Sequence, residues 1–216
     1  MKLYSADLSP YAVRVRAAIY AKNLPVEIVP APEGGLKSPE YLAINPMGKV
    51  PVLVGADGFT LPESDTIVEY LADAFPDAGL RPATPEGKAQ ARLIARVAEL
   101  YVMPCVSTLF PQMDPKTRDQ AVVDAGLVKL KEALVHLNVF LGDGPYAVGD
   151  SFTTADCALV ALMFFVQMAS MTFGVSDLTA GLLKLEAYAS VLQMDPTSQK
   201  LIAEMQAGLR ARQAAG

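Results

Sequence analysis

A hydroxyl and a proline sit where the first strand gives way to the first helix. Lys2 to Ala6 reads as a short strand, and Val13 to Ala21 carries Val13, Ala17 and Tyr20 on one helical stripe. Asp7, Ser9 and Pro10 punctuate the join, which puts Ser9 at the helix N-terminus with Pro10 at its first position. A second serine occupies a similar place. Glu63-Ser64 opens a stretch, Asp65 to Phe75, with Ile67, Val68, Leu71 and Phe75 apolar and good helix formers between. A helix start offers unpaired N–H groups to an anion. Between the two lies Pro51, ahead of Val52-Leu53-Val54. Proline cannot donate to a strand ladder, so it marks a strand start or an edge. An extended peptide laid against Val50 would exchange backbone hydrogen bonds by strand addition, and a cis Val50-Pro51 bond would aim those groups outward. Each feature alone has a plain reading, Ser64 as an N-cap and Pro51 as an edge proline. Their combination in one chain points to capture of a small anionic peptide.

The segment Gly48 to Leu71, GKVPVLVGADGFTLPESDTIVEYL, resembles the glutathione-binding half of the glutathione transferases. Ser9-Pro10-Tyr11-Ala12-Val13-Arg14-Val15-Arg16 is similar to the active-site turn of that family's serine-type classes, where the tau class has Ser-Pro-Phe and the zeta class keeps the serine. The resemblance implies that Ser9 hydrogen-bonds the glutathione sulfur; with no Cys at position 9, omega-type thiol chemistry is disfavoured. It implies a cis Pro51 with the cysteinyl unit paired to Val50, Ser64 donating to the γ-glutamyl carboxylate, and Glu63 facing the α-amino group. Lys37 and Lys49, basic residues before the next elements, would meet the glycine carboxylate. Tyr4, in the first strand, and Tyr11 are rivals for the role of Ser9, since other classes use a tyrosine there. Tyr11 otherwise lines the pocket of the second substrate, for which Tyr101, Met103 or Cys105, and Phe110 are further candidates.

The energetics suffice. A free thiol with a pKa near ~8.5 is only slightly ionised at neutral pH, and lowering it by about two units needs about 2.7 kcal/mol. A hydrogen bond to a charged acceptor supplies roughly 1.5–3 kcal/mol and a helix N-terminus roughly 0.3–1. Ser9 therefore need not act as a base; it has only to donate to a sulfur that has already lost its proton.

The elements that must position these residues follow from the pattern. Strands are predicted at Lys2 to Ala6, Val26 to Val29, Val52 to Val54 and Phe59 to Leu61, with Asp57-Gly58 turning the last two into a hairpin. Helices fall between, around Tyr41 and Leu42 in the middle case, giving a thioredoxin-like βαβαββα domain over residues 1–76. Residues 77–85 read as a linker rich in Pro, Ala and Gly, and residues 86–216 as an all-helical domain carrying the second-substrate pocket. Its helices are expected at Glu86 to Phe110 with a kink at Pro104, Arg118 to Leu141, Thr154 to Ser170, Leu178 to Gln193 and Thr197 to Arg212. Thr153 to Asp156 reads as a capping box with Asp in the usual Glu position.

Composition narrows the remaining classes. The net charge is −5 and the 18 Lys and Arg residues are dispersed, so nucleic acid is not expected as a partner. The apolar run Cys157 to Met168 is only a dozen residues, too short for a span of about 20, so no membrane partner is expected. MKLYSADLSP lacks the apolar region of a signal peptide, which makes a cytoplasmic address the default. Cys105 and Cys157 read as reduced, buried thiols with neither redox-pair nor zinc spacing. His136, the single histidine, stands among Leu134, Val135 and Leu137 and reads as structural, so neither a metal centre nor a hydrolase triad is expected. The reading that results is an enzyme with glutathione as co-substrate that adds its thiolate to a hydrophobic electrophile. It is expected to pair as a homodimer, as the resembling family does. A zeta-like cis-trans isomerase and a non-catalytic binding or regulatory protein on the same fold are the alternatives.

Overall fold

The computed structural model describes residues 1–215. The chain forms two compact units, one built from Met1–Arg81 together with the C-terminal segment from Asp195, the other from Pro82–Met194.

In the first unit, strands β1 (Lys2–Tyr4), β2 (Glu27–Val29), β3 (Val52–Val54) and β4 (Thr60–Pro62) alternate with helices α1 (Pro10–Ala21), α2 (Pro39–Ile44) and α3 (Ser64–Ala74) in the expected βαβαββα sequence. The sheet order is β2-β1-β3-β4, with β1 parallel to β2 and antiparallel to β3, and β3 antiparallel to β4. Leu3 and Leu53 face each other across β1 and β3, both fully buried, and anchor the register. Asp57 accepts the Phe59 amide at 3.1 Å and Gly58 takes a φ of 83°, which closes the expected hairpin. The single-stripe expectation for α1 is too modest. Every residue from Ala12 to Ile19 is buried, Arg14 and Arg16 included, because α3 and the last helix, α9 (Pro196–Ala215), both pack against it.

The second unit contains α4 (Pro85–Val97), a π-helical stretch at Ala98–Val102, α5 (Met103–Leu109), α6 (Gln120–Phe140), α7 (Thr154–Thr172) and α8 (Leu183–Met194). Where a kink at Pro104 is expected, the helix is interrupted by that π-helical stretch, and Pro104 lies in the first turn of α5. Helix α8 starts five residues later than the periodicity suggests, because Asp177 draws the chain into a turn by accepting from the Thr179 amide and hydroxyl at 2.8 and 2.7 Å. Lys131 then donates to the carbonyls of Leu178 and Ala180, both at 2.8 Å. Helix α7 is the core, buried continuously from Thr154 to Val166. At its start the buried Asp156 accepts from the Thr153 amide at 2.8 Å and the Ala147 amide at 2.9 Å, so the Asp completes the expected box and also ties down the preceding loop. Burial raises the Asp156 carboxyl above its ordinary range, against the pull of these hydrogen bonds.

Two single-residue expectations change. His136 lies on the exposed side of α6 and is not a core residue. Cys157 is fully buried, whereas Cys105 is only half-buried; neither is in a disulfide. The linker is pinned at its middle: Arg81 forms ion pairs with Asp73 and Glu69 of α3, which raise its pKa.

Candidate active site

The register of the sheet decides where the candidate residues go. Tyr4 pairs with Val29 on one side and Val52 on the other, and Val52 pairs with Pro62. The C-terminal ends of β1, β2 and β4 and the N-terminal end of β3 therefore lie at one end of the sheet. From that end emerge the Asp7–Ser9 turn, the loop to Lys37, the Lys49-Val50-Pro51 segment and Glu63-Ser64. Residues scattered over more than fifty positions of sequence share one edge because β3 alone runs opposite to β1, β2 and β4, which sets its start beside their ends.

Ser9 is the N-cap of α1, in extended conformation, with Pro10 following. Its Oγ accepts the Ala12 amide at 3.2 Å. That bond uses a lone pair, so the hydroxyl keeps its own hydrogen for an acceptor beyond the helix end. The turn is closed by the Ser9 amide donating to the Ala6 carbonyl at 3.1 Å. Tyr4 stands apart from this chemistry: its half-buried ring meets Tyr41 edge-on at 5.7 Å. Tyr11 projects from the first turn of α1, 41% exposed.

The Val50-Pro51 bond is cis, and the β3 ladder begins only at Val52, so Val50 stands outside the strand pairing. Its approach is built by buried polar groups. Asn45, 1% exposed, donates its side-chain amide to the Lys49 carbonyl at 2.8 Å and accepts the Met47 amide at 3.1 Å. The Tyr41 hydroxyl donates to the same Lys49 carbonyl at 2.8 Å, and burial pushes that phenol up to about 12. Gly48 takes a φ of 59° between them. A Cβ there would meet the Leu36 carbonyl at 2.7 Å, so both the conformation and the space call for glycine. Lys37 and Lys49 are exposed, and Lys37 donates to the Met47 carbonyl at 3.2 Å, holding its ammonium over the same turn.

Glu63, not Ser64, occupies the N-cap of α3, and its side chain makes no capping bond. Glu63 has φ 70° and ψ 111°, a region that non-glycine residues rarely enter. Ser64 is the first helical residue, 5% exposed. The plain N-cap reading thus does not describe Ser64. Its amide belongs to the first turn, where helical N–H groups have no partner within the helix. Arg14 of α1 approaches Asp65 at 3.6 Å, an ion pair between the two helices that start with Ser9 and Ser64. Sequence reasoning missed Arg14, Asn45 and Tyr41. The two arginines inside an otherwise apolar helix were the available signal for the first; nothing local marked the others.

The second-substrate candidates of the helical unit have distinct surroundings. Tyr101 is 59% exposed, and its carbonyl accepts the Cys105 thiol at 3.2 Å. Burial pushes the Cys105 thiol up, which keeps it protonated at neutral pH. Phe110 is half-buried and packs edge-on against Phe165 at 5.1 Å. Met103 is buried.

Comparison with known proteins gives the same family for both halves of the chain. The profile of the glutathione S-transferase N-terminal domain matches residues 3–82, and that of the glutathione S-transferase C-terminal domain matches residues 97–190. The chain belongs to the glutathione S-transferase family. It is 29% identical to glutathione S-transferase 2 of Saccharomyces cerevisiae over 213 residues, covering 94% of this chain and 89% of that one. It is 35% identical to glutathione S-transferase 3 of Zea mays over 165 residues, 72% and 73% of the two chains. A maleylacetoacetate isomerase of Pseudomonas aeruginosa is 30% identical over 185 residues, 82% and 84% of the two. Among solved structures, glutathione S-transferase I from maize in complex with an atrazine glutathione conjugate superimposes with a TM-score of 0.79 at 30% identity, covering 95% of this chain and 97% of that one.

Proposed function

We propose that this chain is an enzyme that binds glutathione at the shared end of the first unit's sheet and conjugates it, as the thiolate, to a hydrophobic electrophile. The observation that carries the reading is the convergence of Ser9, Val50-Pro51 and Glu63-Ser64 on that end. The cysteinyl backbone pairs with Val50, which stands outside the ladder and has its groups to offer. The γ-glutamyl carboxylate meets the N-terminal turn of α3 and the Ser64 hydroxyl, while Glu63 faces the α-amino group. Lys37 and Lys49 receive the glycine carboxylate. The sulfur then lies by the first turn of α1, where Ser9 donates its free hydroxyl hydrogen; this makes the chain a serine-type member. Tyr11, Tyr101, Cys105 and Phe110 are proposed to contact the electrophile. Conjugation needs no metal in this scheme. By the family resemblance the enzyme is a cytoplasmic homodimer, with residues 1–76 as its thioredoxin-like domain and residues 86–216 as its helical one, although the last helix of the latter packs with the first unit.

Thiolate absorbance of bound glutathione, titrated with pH, tests the assignment. The wild-type sulfur should ionise about two units below free thiol, and Ser9→Ala should return about one to two of those units. Turnover of an aromatic halide at neutral pH should fall in step. No change in Ser9→Ala, with loss in Tyr4→Phe or Tyr11→Phe, would reassign the donor.

The likeness to the Pseudomonas isomerase supports a second reading, transient addition of the thiolate with cis-trans isomerisation. The Ser-Pro-Tyr turn counts against it, since the zeta class typically has Ser-Ser-Cys there. Assaying maleylacetoacetate beside the aromatic halide separates the two by which substrate turns over.

A further inference from the structure

Helix α9 reaches the Ser9 turn through one buried arginine. Arg16, its side chain 2% exposed, donates to the Asp7 carboxylate at 2.7 Å and to the Asp7 backbone carbonyl at 3.0 Å. The same guanidinium pairs with Glu204 of α9 at 3.3 Å. Glu204 is held in turn by the Tyr20 hydroxyl, which donates to its other oxygen at 3.0 Å, and the Lys200 ammonium lies over the Tyr20 ring at 3.5 Å. Behind the turn stands Gly208. A Cβ at that position would come within 3.0 Å of Asp7 Cβ and 3.1 Å of Leu8 Cγ, so α9 rests directly on the two residues before Ser9.

We propose that Glu204, through Arg16, and Gly208, by close packing, position the Asp7–Ser9 turn so that the Ser9 hydroxyl points at the glutathione sulfur. This rests on the reading of Ser9 as the sulfur's donor. Glu204 and Gly208 are positioning residues and touch no substrate. A hydroxyl donor is effective over a few tenths of an ångström and a narrow range of angle, and Ser9 sits on a turn between elements, where local order is ordinarily lowest. Donation from Arg16 to the Asp7 carbonyl fixes the peptide plane two residues before Ser9. The arginine is itself oriented by a carboxylate from the far end of the chain. A planar, multidentate guanidinium can hold both carboxylates and the carbonyl at once, which an ammonium cannot do with the same geometry.

The test compares Glu204→Gln, Gly208→Ala and Ser9→Ala with the parent in the full chain. It reads amide hydrogen exchange at Ser9 and Leu53, and glutathione affinity and thiolate absorbance. Both α9 variants should speed exchange of the Ser9 amide about tenfold with Leu53 unchanged, and should lower the bound thiolate fraction at neutral pH about three- to tenfold, while affinity at a pH low enough to keep the bound sulfur protonated stays within about twofold. Gly208→Ala favours the helix by intrinsic propensity, so it keeps the test open if Glu204→Gln fails to fold. Unchanged Ser9 exchange in either folded variant overturns the positioning role. Thiolate loss in Ser9→Ala but in neither α9 variant overturns that role and leaves the Ser9 reading standing. Faster exchange with the thiolate unmoved in all three variants overturns Ser9 as donor, and with it the catalytic purpose of the α9 contact.

Discussion

Glu63 holds a backbone conformation against its own preference at the start of α3. A non-glycine side chain at φ 70°, ψ 111° costs of order 1–3 kcal/mol, and the position persists because it starts α3 and directs a carboxylate outward. Glu63→Gly should relieve that strain and give back about 0.5–1 kcal/mol in chain entropy, for a net gain of about 1 kcal/mol in stability. Glutathione affinity should fall at the same time. Chemical denaturation and calorimetric titration of one protein sample would show the opposed changes, whereas a loss of both would mean that the carboxylate supports the fold. Ser64→Ala combined with Glu63→Gln should weaken binding by about 1–3 kcal/mol, the range for lost charged hydrogen bonds. Unchanged affinity by the same titration would move the site elsewhere.

At the scale of elements, the short turn between α2 and β3 carries a burden out of proportion to its length. Asn45 and Tyr41 both donate to the Lys49 carbonyl, and this places the backbone immediately ahead of Val50. Asn45→Ala removes one donor to the Lys49 carbonyl and the acceptor of the Met47 amide, two hydrogen bonds worth about 0.5–1.5 kcal/mol each. The expected result is a lower melting temperature and a raised KM for glutathione, with little change in kcat. Tyr41→Phe leaves Asn45 in place, so its effect should be smaller. A kcat loss without a KM change in Asn45→Ala would place the effect of this turn on the chemistry and not on binding.

Across the whole molecule, two phenols are held up to about 12 from an ordinary 10.0. Desolvation is the main cause at both; at Tyr20 the Glu204 carboxylate adds to it. Because the folded phenols keep their protons longer than the unfolded ones, the native state binds more protons between these values, and stability falls as pH rises from 10 to 12. Tyr20→Phe should flatten part of that decline, followed by denaturant midpoints across the alkaline range. An identical slope in the variant would mean that Tyr20 titrates normally. Assembly is also a property of the whole chain: sedimentation at micromolar concentration should give twice the 23.0 kDa chain mass, and a single species at the chain mass would refute the homodimer.

The sequence by itself determined the element order, the hairpin at Asp57-Gly58, Ser9 before Pro10 at a helix start and Glu63-Ser64 at another, because turn residues and hydrophobic period act over a few neighbours. It also carried the family, through Gly48 to Leu71 and the Ser-Pro-Tyr turn. What only tertiary structure decided are matters of long-range pairing. The Tyr4–Val52–Pro62 register gathers the candidate residues at one end of the sheet, since strand partners are chosen by the packing of faces and not by any local signal. Two arginines in α1 are buried because α3 and α9 close over them, which a single-stripe pattern cannot foresee. The last helix belongs with the first unit and not with the helical one it follows in sequence. Its sequence predicts a helix from Thr197 to Arg212; only the fold identifies Arg16, Tyr20 and the Ser9 turn as its partners.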